Sequence, residues 1–324
     1  MGFDQFGIVI TNRCTAACKF CGWRCSPKNH GVIELNMAKD AIDQAVSLGL
    51  TRRLGLTGGE AFLYPDLVRD ILKYGREKGY KVCSIATNGF WGAWSDEKID
   101  AVLEPLEDCC DLISFSYDSF HAEYIPEESI WHAAESAGRH GIKFHISVAD
   151  VKGEKGAGPF LASLSEKALK RSYDFYPLQQ IGNAMDMPAE MFCRDLTREE
   201  VSCKGFGLFT LLYDGRVFPC CNPGIFDTDL YMGNIKETPL KDMLESSDVF
   251  KYMRLLCNKD YYRRLIIRAE EAGLINVPEK VVSGCEICHW MFRDKKIADQ
   301  IYPMLKELYQ EMIVHNFLCK KEGE

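Results

Sequence analysis

The sequence predicts an α/β fold, a partial (β/α)6 TIM-like barrel followed by a smaller C-terminal domain. Between residues 6 and 184, short apolar runs alternate about six times with amphipathic helical patterns, which indicates a parallel sheet with right-handed crossovers. After about residue 190 this alternation stops and a different pattern begins. We therefore expect the barrel over residues 1–189 and the C-terminal domain over residues 190–324.

Six short apolar runs are predicted to be the barrel strands. They lie at residues 6–11, 53–58, 81–87, 111–117, 143–149 and 179–184. The segments between them place apolar residues three and four positions apart, and several end in glycine, as helices do. These helical patterns lie at residues 36–49, 64–79, 95–107 and 129–141. In such folds the functional residues lie at the carboxyl ends of the strands.

The C-terminal domain begins with a predicted hairpin. Residues 209–221 have the sequence FTLLYDGRVFPCC, in which Asp214 and Gly215 favour a tight turn between two strands. An amphipathic helix opens at Pro239, and a last helix is predicted near residues 294–316. This region is therefore expected to fold as a smaller second unit.

The composition restricts the class of protein. Of the 324 residues, 47% are hydrophobic and 27% are charged, so little of the chain is expected to be disordered. The net charge of -8 and the lack of a basic stripe argue against nucleic acid as a partner. No stretch approaches the roughly 20 apolar residues of a membrane span, and the first residues lack signal-peptide features. We therefore expect a cytoplasmic protein without a membrane partner, whose 15 cysteines fit metal or redox chemistry better than disulfides.

Three closely spaced cysteines follow the first predicted strand. Cys14, Cys18 and Cys21 form a C-x3-C-x2-C pattern on a loop that can surround a metal centre. Three thiolates are one ligand short of a closed zinc or four-iron site, and a four-iron cluster held by three cysteines leaves one iron open. A structural zinc site completed by Cys25 or His30 is the alternative. Outside such a site, Cys25 fits a buried spare thiol.

The spacing, with Phe20 directly before the third cysteine, closely resembles that of the radical S-adenosylmethionine (SAM) enzyme superfamily. The resemblance implies a [4Fe-4S] cluster on Cys14, Cys18 and Cys21 whose free iron binds SAM. In this superfamily the reduced cluster splits SAM into methionine and a 5′-deoxyadenosyl radical, which removes a hydrogen atom from an unactivated C–H bond. The cofactor carries this chemistry, and the protein selects the hydrogen that is removed.

Residues at further strand ends extend the resemblance. Gly58, Gly59 and Glu60 of LTGGE resemble the superfamily motif that receives the SAM amino group, since glycines allow close approach and a carboxylate pairs with an ammonium. The residues similar in place to those that contact the SAM ribose and carboxylate are Asn88, Ser116, Asp118 and Asn183. Many relatives have arginine at the last of these positions. Turn formation and helix capping are the alternative roles for each of them.

Five cysteines are grouped in the C-terminal domain, namely Cys203, Cys220, Cys221, Cys285 and Cys288. With the sequence DGRVFPC, this region resembles the auxiliary-cluster region of SPASM and twitch radical SAM enzymes. Because only Cys319 follows, we expect a twitch-like domain with one auxiliary [4Fe-4S] cluster on Cys203, Cys220, Cys285 and Cys288. A structural zinc site, and Cys221 in place of Cys220 as ligand, are the alternatives.

The adjacent pair of Cys220 and Cys221 indicates a more specific function. Adjacent side chains diverge, so only one of them is expected to bind the cluster. The PCC sequence resembles peptide epimerases that convert L-residues to D-residues in ribosomally made epipeptides, where a non-ligand cysteine donates hydrogen. The resemblance implies a catalytic Cys221, a precursor peptide as substrate, and an electron donor such as flavodoxin or ferredoxin.

Other interpretations remain open at this stage. They are a thioether or carbon–carbon crosslinking peptide enzyme, a twitch-type small-molecule dehydrogenase and a zinc-binding interaction protein, with Cys221 then a buried structural thiol. His121 in DSFH fits either the mouth of the active site or a structural role. The cysteines predicted to be core residues are Cys83, Cys109, Cys110, Cys193 and Cys257.

Overall fold

The computed structural model describes residues 5–166 and 171–321. The strands are β1 (Gln5–Val9), β2 (Arg53–Thr57), β3 (Val82–Thr87), β4 (Leu112–Ser116), β5 (Lys143–Asp150), β6 (Tyr173–Pro177), β7 (Leu196–Thr197), β8 (Leu208–Leu212), β9 (Arg216–Phe218), β10 (Gly233–Asn234) and β11 (Lys280–Val281). The α-helices are α1 (Leu35–Ser47), α2 (Pro65–Glu77), α3 (Asp96–Leu103), α4 (Glu127–Arg139), α5 (Ala157–Ala162), α6 (Leu240–Ser246), α7 (Asp248–Met253), α8 (Lys259–Glu271), α9 (Gly284–Phe292) and α10 (Lys295–Lys321).

Within the described residues, nine strands form one sheet in the order β10-β9-β8-β1-β2-β3-β4-β5-β6. Strands β1 to β6 pair in parallel with their neighbours in chain order. The carboxyl ends of these strands therefore meet at one edge of the sheet, where Val9 pairs with Thr57 and Thr87 pairs with Phe115. The predicted α/β class with a parallel sheet is confirmed.

One face of this sheet packs against amphipathic helices. Alternate strand residues such as Ile8, Leu56 and Ile113 are fully buried in the core they form with the helices. In α2 the residues that meet this core are spaced three and four apart, as the helical period requires, and they include Val68 and Leu72. Each such buried aliphatic side chain stabilises the fold by roughly 1.5–3 kcal/mol.

The prediction of the sixth strand at residues 179–184 is wrong. The strand is Tyr173–Pro177, and the predicted segment continues into a 3-10 helix at Gly182–Asp186. Gly182 has a φ of 57°, a left-handed conformation that an extended strand does not contain. A Cβ on Gly182 would also lie 2.5 Å from the carbonyl oxygen of Gly22. The apolar residues of this segment therefore belong to a turn that packs on the first cysteine-rich loop.

The predicted hairpin is confirmed as β8 and β9, with Leu211 opposite Val217 and a φ of 95° at Gly215 in the turn. Strand β8 also pairs in parallel with β1, with Phe6 opposite Phe209. The hairpin therefore extends the barrel sheet across the predicted boundary at residues 189 and 190. A second apolar core lies beyond it and is formed mainly by α8, α9 and α10.

No helix among the described residues combines the length and the apolarity that crossing a bilayer requires.

Candidate active site

A cavity of about 260 Å³, here called the upper cavity, lies at the carboxyl ends of the strands. Cys14, Cys18 and Cys21 line it together, on the loop between β1 and α1. Five of the predicted cofactor-binding residues also line it, namely Phe20, Gly58, Gly59, Asn88 and Ser116. The residues that the sequence placed at separate strand ends are thus brought to one site.

The cysteine loop directs hydrogen-bond donors at two of its sulfurs. Cys14 Sγ accepts from the Ala16 backbone N–H at 3.4 Å and from Asn88 Nδ2 at 3.6 Å. Cys21 Sγ accepts from the Cys25 backbone N–H at 3.4 Å. The thiol of Cys25 also donates to Cys21 and lowers the pKa of Cys21 to about 6, whereas burial raises the pKa of Cys14 to about 12.

This arrangement fits the predicted [4Fe-4S] cluster. Cys18 is only 7% exposed and Cys25 only 3%, so the loop keeps its sulfurs away from bulk water. Cluster ligands must be deprotonated, and backbone N–H donors stabilise thiolate sulfur. The upper cavity leaves room beside the three sulfurs for a bound group.

The glycines of LTGGE allow β2 to approach the cysteine loop. The Gly59 backbone N–H donates to Thr11 O at 2.7 Å, and the Glu60 N–H donates to Arg13 O at 2.8 Å. A Cβ on Gly59 would lie 2.0 Å from Arg13 O. Only glycine permits this contact, which fixes the cysteine loop against the wall of the upper cavity.

The Glu60 side chain points into the protein. It is fully buried, and its carboxylate accepts hydrogen bonds from the Phe62 N–H, the Asn88 N–H and Thr87 Oγ1 at 2.9, 2.7 and 2.7 Å. Burial raises its pKa to about 7. Glu60 is not among the residues that line the upper cavity, and in this structure it joins the turns after β2 and β3. Its contact with the SAM amino group stays a prediction.

Like Glu60, the Asp118 side chain contacts neighbouring protein groups and does not line the upper cavity. Its carboxylate accepts from the backbone N–H groups of Phe120 and His121, each at 3.0 Å, and from Ala149 at 3.3 Å. It lies 3.0 Å from His121 Nδ1, and the His121 ring lines the upper cavity and packs edge-on against Phe20. Asp118 thus positions His121, which is the residue of the pair that faces the cavity.

Asn183 supports the cysteine loop. Its backbone N–H donates to Cys21 O at 3.0 Å, and its Nδ2 donates to Cys18 O at 3.3 Å. Like Glu60 and Asp118, it does not line the upper cavity. The direct SAM contacts assigned to these three residues from the sequence stay predictions.

The segment after Cys221 completes the wall of the upper cavity. Asn222 and Pro223 line it, and Asn222 Nδ2 donates to Gln179 Oε1 at 2.9 Å. The rings of Trp23 and Phe226 lie 4.6 Å apart. The sequence analysis missed Trp23, Gln179, Asn222 and Pro223 as cavity residues, and the only available signal was their nearness to the two cysteine motifs.

The auxiliary cysteines converge in the second core. Cys285 and Cys288 lie one turn apart on α9, so their side chains share a face. Burial, followed by the nearby thiols of Cys221, Cys203 and Cys285, raises the pKa of Cys220. Such a buried group of thiols favours a cation that compensates their charge when deprotonated, which fits an iron–sulfur cluster. Their role as ligands stays a prediction.

Cys257, predicted as a core residue, belongs to this region. Its thiol donates to Cys203 and lowers the pKa of Cys203 to about 7. Among the described residues, no three His, Cys, Asp or Glu side chains form a ready site for a single metal ion.

Cys220 and Cys221 face different surroundings. Cys220 is buried, at 8% exposure, whereas Cys221 is exposed. Cys221 lines a second cavity of about 350 Å³ on the inner face of the sheet, here called the lower cavity. Trp23, Thr57 and Ala86 line both cavities. Cys221 therefore lines a cavity that adjoins the upper cavity, and both Cys220 and Cys221 lie near the thiols of Cys203 and Cys285.

Two family models match the two parts of the chain. Residues 8–150 match the family model of the radical SAM superfamily, and residues 203–268 match that of SPASM, an iron-sulfur cluster-binding domain. The chain therefore contains a radical SAM domain over residues 8–150 and a SPASM domain over residues 203–268. The radical SAM domain binds a [4Fe-4S] cluster and SAM, and the SPASM domain binds auxiliary iron–sulfur clusters.

One sequence relative and two similar structures each align with most of the chain. YydG of Bacillus subtilis (strain 168), provisionally named a peptide biosynthesis protein, is 22% identical over 94% of this chain and 97% of its own. The structure is similar to SuiB of Streptococcus suis bound to its precursor peptide SuiA, with a TM-score of 0.58 at 14% identity over 87% of this chain and 75% of that one. It is also similar to anSMEcpe with bound AdoMet, with a TM-score of 0.56 at 14% identity over 95% and 99% of the two chains.

Proposed function

We propose that this protein is a peptide-modifying radical SAM enzyme that converts L-residues to D-residues in a ribosomally synthesised peptide. The observation that carries the proposal is the placement of Cys221. Its thiol is exposed to a cavity that shares residues with the predicted SAM site, while the neighbouring Cys220 is buried. A free thiol in that position can return a hydrogen atom to a substrate radical.

The configuration of the product depends on where the hydrogen donor lies relative to the substrate radical. When bound, the cluster and SAM supply the 5′-deoxyadenosyl radical that removes the α-hydrogen of a peptide residue. The resulting carbon radical is close to planar, so the face that receives the next hydrogen decides the configuration. Cys221 donates the hydrogen atom of its S–H bond, forming the new C–H bond and leaving a sulfur radical. Water is a poor donor in comparison because its O–H bond is stronger.

Several relatives support a peptide as the substrate class. YydG is provisionally named for peptide biosynthesis, SuiB binds its precursor peptide SuiA, and anSMEcpe binds the Cp18Cys peptide. We infer that this chain likewise takes a precursor peptide. Reduction requires a one-electron donor, for which a flavodoxin or ferredoxin is the proposed partner.

The test compares Cys221→Ala with the wild type on precursor peptides encoded next to this gene. Wild-type turnover in deuterated water should place a single deuterium on an inverted α-carbon. Cys221→Ala should still form 5′-deoxyadenosine but yield no D-residue. Cys193→Ala, which removes a half-buried thiol elsewhere, should behave like the wild type.

Two results would contradict the proposal. A normal D-residue yield from Cys221→Ala would eliminate Cys221 as the donor. A thioether or carbon–carbon crosslink made by the wild type would place the protein among the crosslinking enzymes.

A further inference from the structure

Within the described residues, the nine-stranded sheet ends in two edge strands that differ in length and exposure. One is β10, which has only two residues and lies close to α6, where the Met243 side chain lies against Gly233. The other is β6, which has five residues, the last four of them exposed. Proteins usually shorten, charge or cover their edge strands, because an open edge pairs with other chains. The outer edge of β6, here called the β6 edge, is therefore the edge to which another strand can be added.

The backbone of Phe175 directs its hydrogen-bonding groups to the β6 edge. Phe175 lies opposite Val148 in the parallel pair of β5 and β6, and the Leu178 N–H donates to Asp150 O at 2.9 Å. Since successive strand residues turn their N–H and C=O groups to alternate edges, Phe175 turns both groups away from β5. Among the described residues, no strand pairs with this edge. Phe175 can thus exchange two hydrogen bonds with one residue of an added antiparallel strand.

Pro177 limits how far an added strand can extend. Proline has no N–H, so the β6 edge offers only a carbonyl oxygen at this residue. Pro177 also lines the upper cavity, together with Tyr176 and Gln179. A chain paired along β6 therefore leaves the strand where β6 meets the predicted SAM site.

The segment that carries Cys221 contacts the turn after β6. Gln179 comes two residues after the end of β6, and its Oε1 accepts from Asn222 Nδ2 at 2.9 Å. Asn222 directly follows Cys221, and consecutive Cα atoms are about 3.8 Å apart. A chain that leaves β6 at Pro177 therefore arrives beside the segment of the proposed hydrogen donor.

Aromatic side chains provide apolar surface on both faces of β6. Phe175 is 51% exposed, and its ring stacks on that of Tyr173 with 6.2 Å between the centroids. Tyr176 is 39% exposed and lies on the opposite face, where it lines the upper cavity. An extended peptide on a sheet edge gains affinity from main-chain hydrogen bonds and specificity from contacts to its alternate side chains. The β6 edge offers both kinds of contact.

We propose that the β6 edge binds the precursor peptide as an added β-strand and delivers the adjoining peptide residue to the cavities beside SAM and Cys221. The inference rests on the proposed function, in which the substrate is a peptide that must reach both groups. The paired segment lies along β6, and the residue to be inverted lies beyond Pro177, inside the barrel.

The first test removes the N–H of Phe175. Phe175→Pro should fold, because edge strands tolerate proline where the N–H faces away from the partner strand. With SAM bound, it should bind a synthetic peptide of the precursor sequence encoded next to this gene about fivefold to tenfold more weakly than the wild type. Phe175→Val is the matched control, because valine retains the N–H and suits a strand. It should weaken binding less. Isothermal titration calorimetry gives the affinities, and iron content and unfolding temperature check the fold.

The second test follows single amides of the wild type by hydrogen–deuterium exchange. Addition of the peptide to the SAM-bound enzyme should slow exchange of the Phe175 N–H. The Leu178 N–H is the internal control and should change little, because it is already bonded to Asp150. N-methylation of the peptide, one amide at a time, should weaken binding at alternate residues of the paired segment, since only those amides face β6.

The outcomes distinguish this inference from the proposed function. Unchanged exchange at Phe175, or N-methylation effects without a two-residue period, would overturn the added strand even if D-residues form normally. Equal loss of affinity in Phe175→Pro and Phe175→Val would assign the binding to the aromatic ring and would also overturn it. Protection of the Phe175 N–H by a peptide that the wild type never inverts would remove the proposed epimerisation and leave the added strand in place.

Discussion

Gly22 and Pro223 touch across the two cysteine motifs, and a Cβ on Gly22 would lie 2.8 Å from Pro223 Cγ. Gly22 follows Cys21, and Pro223 lies two residues after Cys221. The contact therefore sets the distance between the predicted cluster loop and the proposed hydrogen donor.

Gly22→Ala should displace Pro223 and lower the number of D-residues formed per 5′-deoxyadenosine. Overpacking of a tight contact costs about 1–3 kcal/mol, and here the strain acts on the segment that carries Cys221. Liquid chromatography of both products gives the ratio. Combining Gly22→Ala with Pro223→Ala removes the shortest contact and should recover part of the loss. An unchanged ratio in Gly22→Ala would show that the contact does not position the donor.

Replacing Cys14, Cys18 and Cys21 together by alanine should abolish reductive cleavage of SAM. These residues supply the three thiolates that the predicted cluster needs. The measurement is 5′-deoxyadenosine formation under anaerobic reducing conditions. Cys25→Ala is the matched control, since Cys25 contacts Cys21 without being a predicted ligand. Undiminished product from the triple variant, or complete loss from Cys25→Ala alone, would contradict the assignment.

The same triple variant should retain about four irons per chain, as one auxiliary [4Fe-4S] cluster requires. Adding Cys285→Ala and Cys288→Ala should remove this iron, because both residues lie on the face of α9 that meets the auxiliary thiols. Adding Cys83→Ala to the triple variant instead removes a buried core thiol and should leave the iron content unchanged. Iron and sulfide analysis checks the prediction, and a triple variant that holds zinc without iron would refute it.

The stability of the barrel should depend on His132. Its Nδ1 lies 2.7 Å from Gly92 O, and its Nε2 lies 2.7 Å from Asp96 Oδ1. Two acceptors favour the protonated ring, and the hydrogen bond to Asp96 raises the pKa of His132. The folded chain thus binds this proton more tightly than the unfolded chain. The resulting stabilisation is complete below the ordinary histidine pKa of about 6.5 and is lost as pH rises through the raised value.

His132→Gln should therefore lower the unfolding temperature more at pH 6 than at pH 9. Asp96→Asn should show the same dependence, because it removes the carboxylate that raises the histidine pKa. Thermal unfolding of both variants and the wild type at the two pH values provides the check. If the variants and the wild type differed in unfolding temperature by the same amount at both pH values, the proton on His132 would not contribute to stability.

The sequence predicted the barrel well because its strands and helices differ in hydrophobic period. Residues 53–58 and 111–117 were placed within one residue of β2 and β4. The sixth strand was misplaced because Tyr173–Pro177 is partly or largely exposed along its whole length and shows no alternation of buried and exposed residues. Hydrophobic pattern identifies a strand only when one of its faces is buried.

Residues of the candidate site could be predicted from the sequence where the residue type has few structural roles in proteins. Clustered cysteines and the two glycines of LTGGE line the upper cavity as expected. Polar residues were harder, because a carboxylate at a strand end serves equally to bind a ligand or to hold backbone N–H groups. The carboxylates of Glu60 and Asp118 accept hydrogen bonds from backbone N–H groups in this structure. The upper cavity is lined by His121 and Gln179 instead. Side-chain direction depends on tertiary contacts that a single sequence does not reveal.

The central position of β1 affects how the chain is synthesised. β1 leaves the ribosome before the other strands of its sheet, yet one of its two edges is covered only when β8, which ends at Leu212, has been made. An uncovered strand edge pairs readily with other chains and leads to aggregation. Nascent chains of this protein therefore carry an open edge from the synthesis of β1 until β8 has been made, and fragments that stop before β8 retain it. Expression of the complete chain with slow translation and chaperone support should give more soluble protein than any shortened barrel.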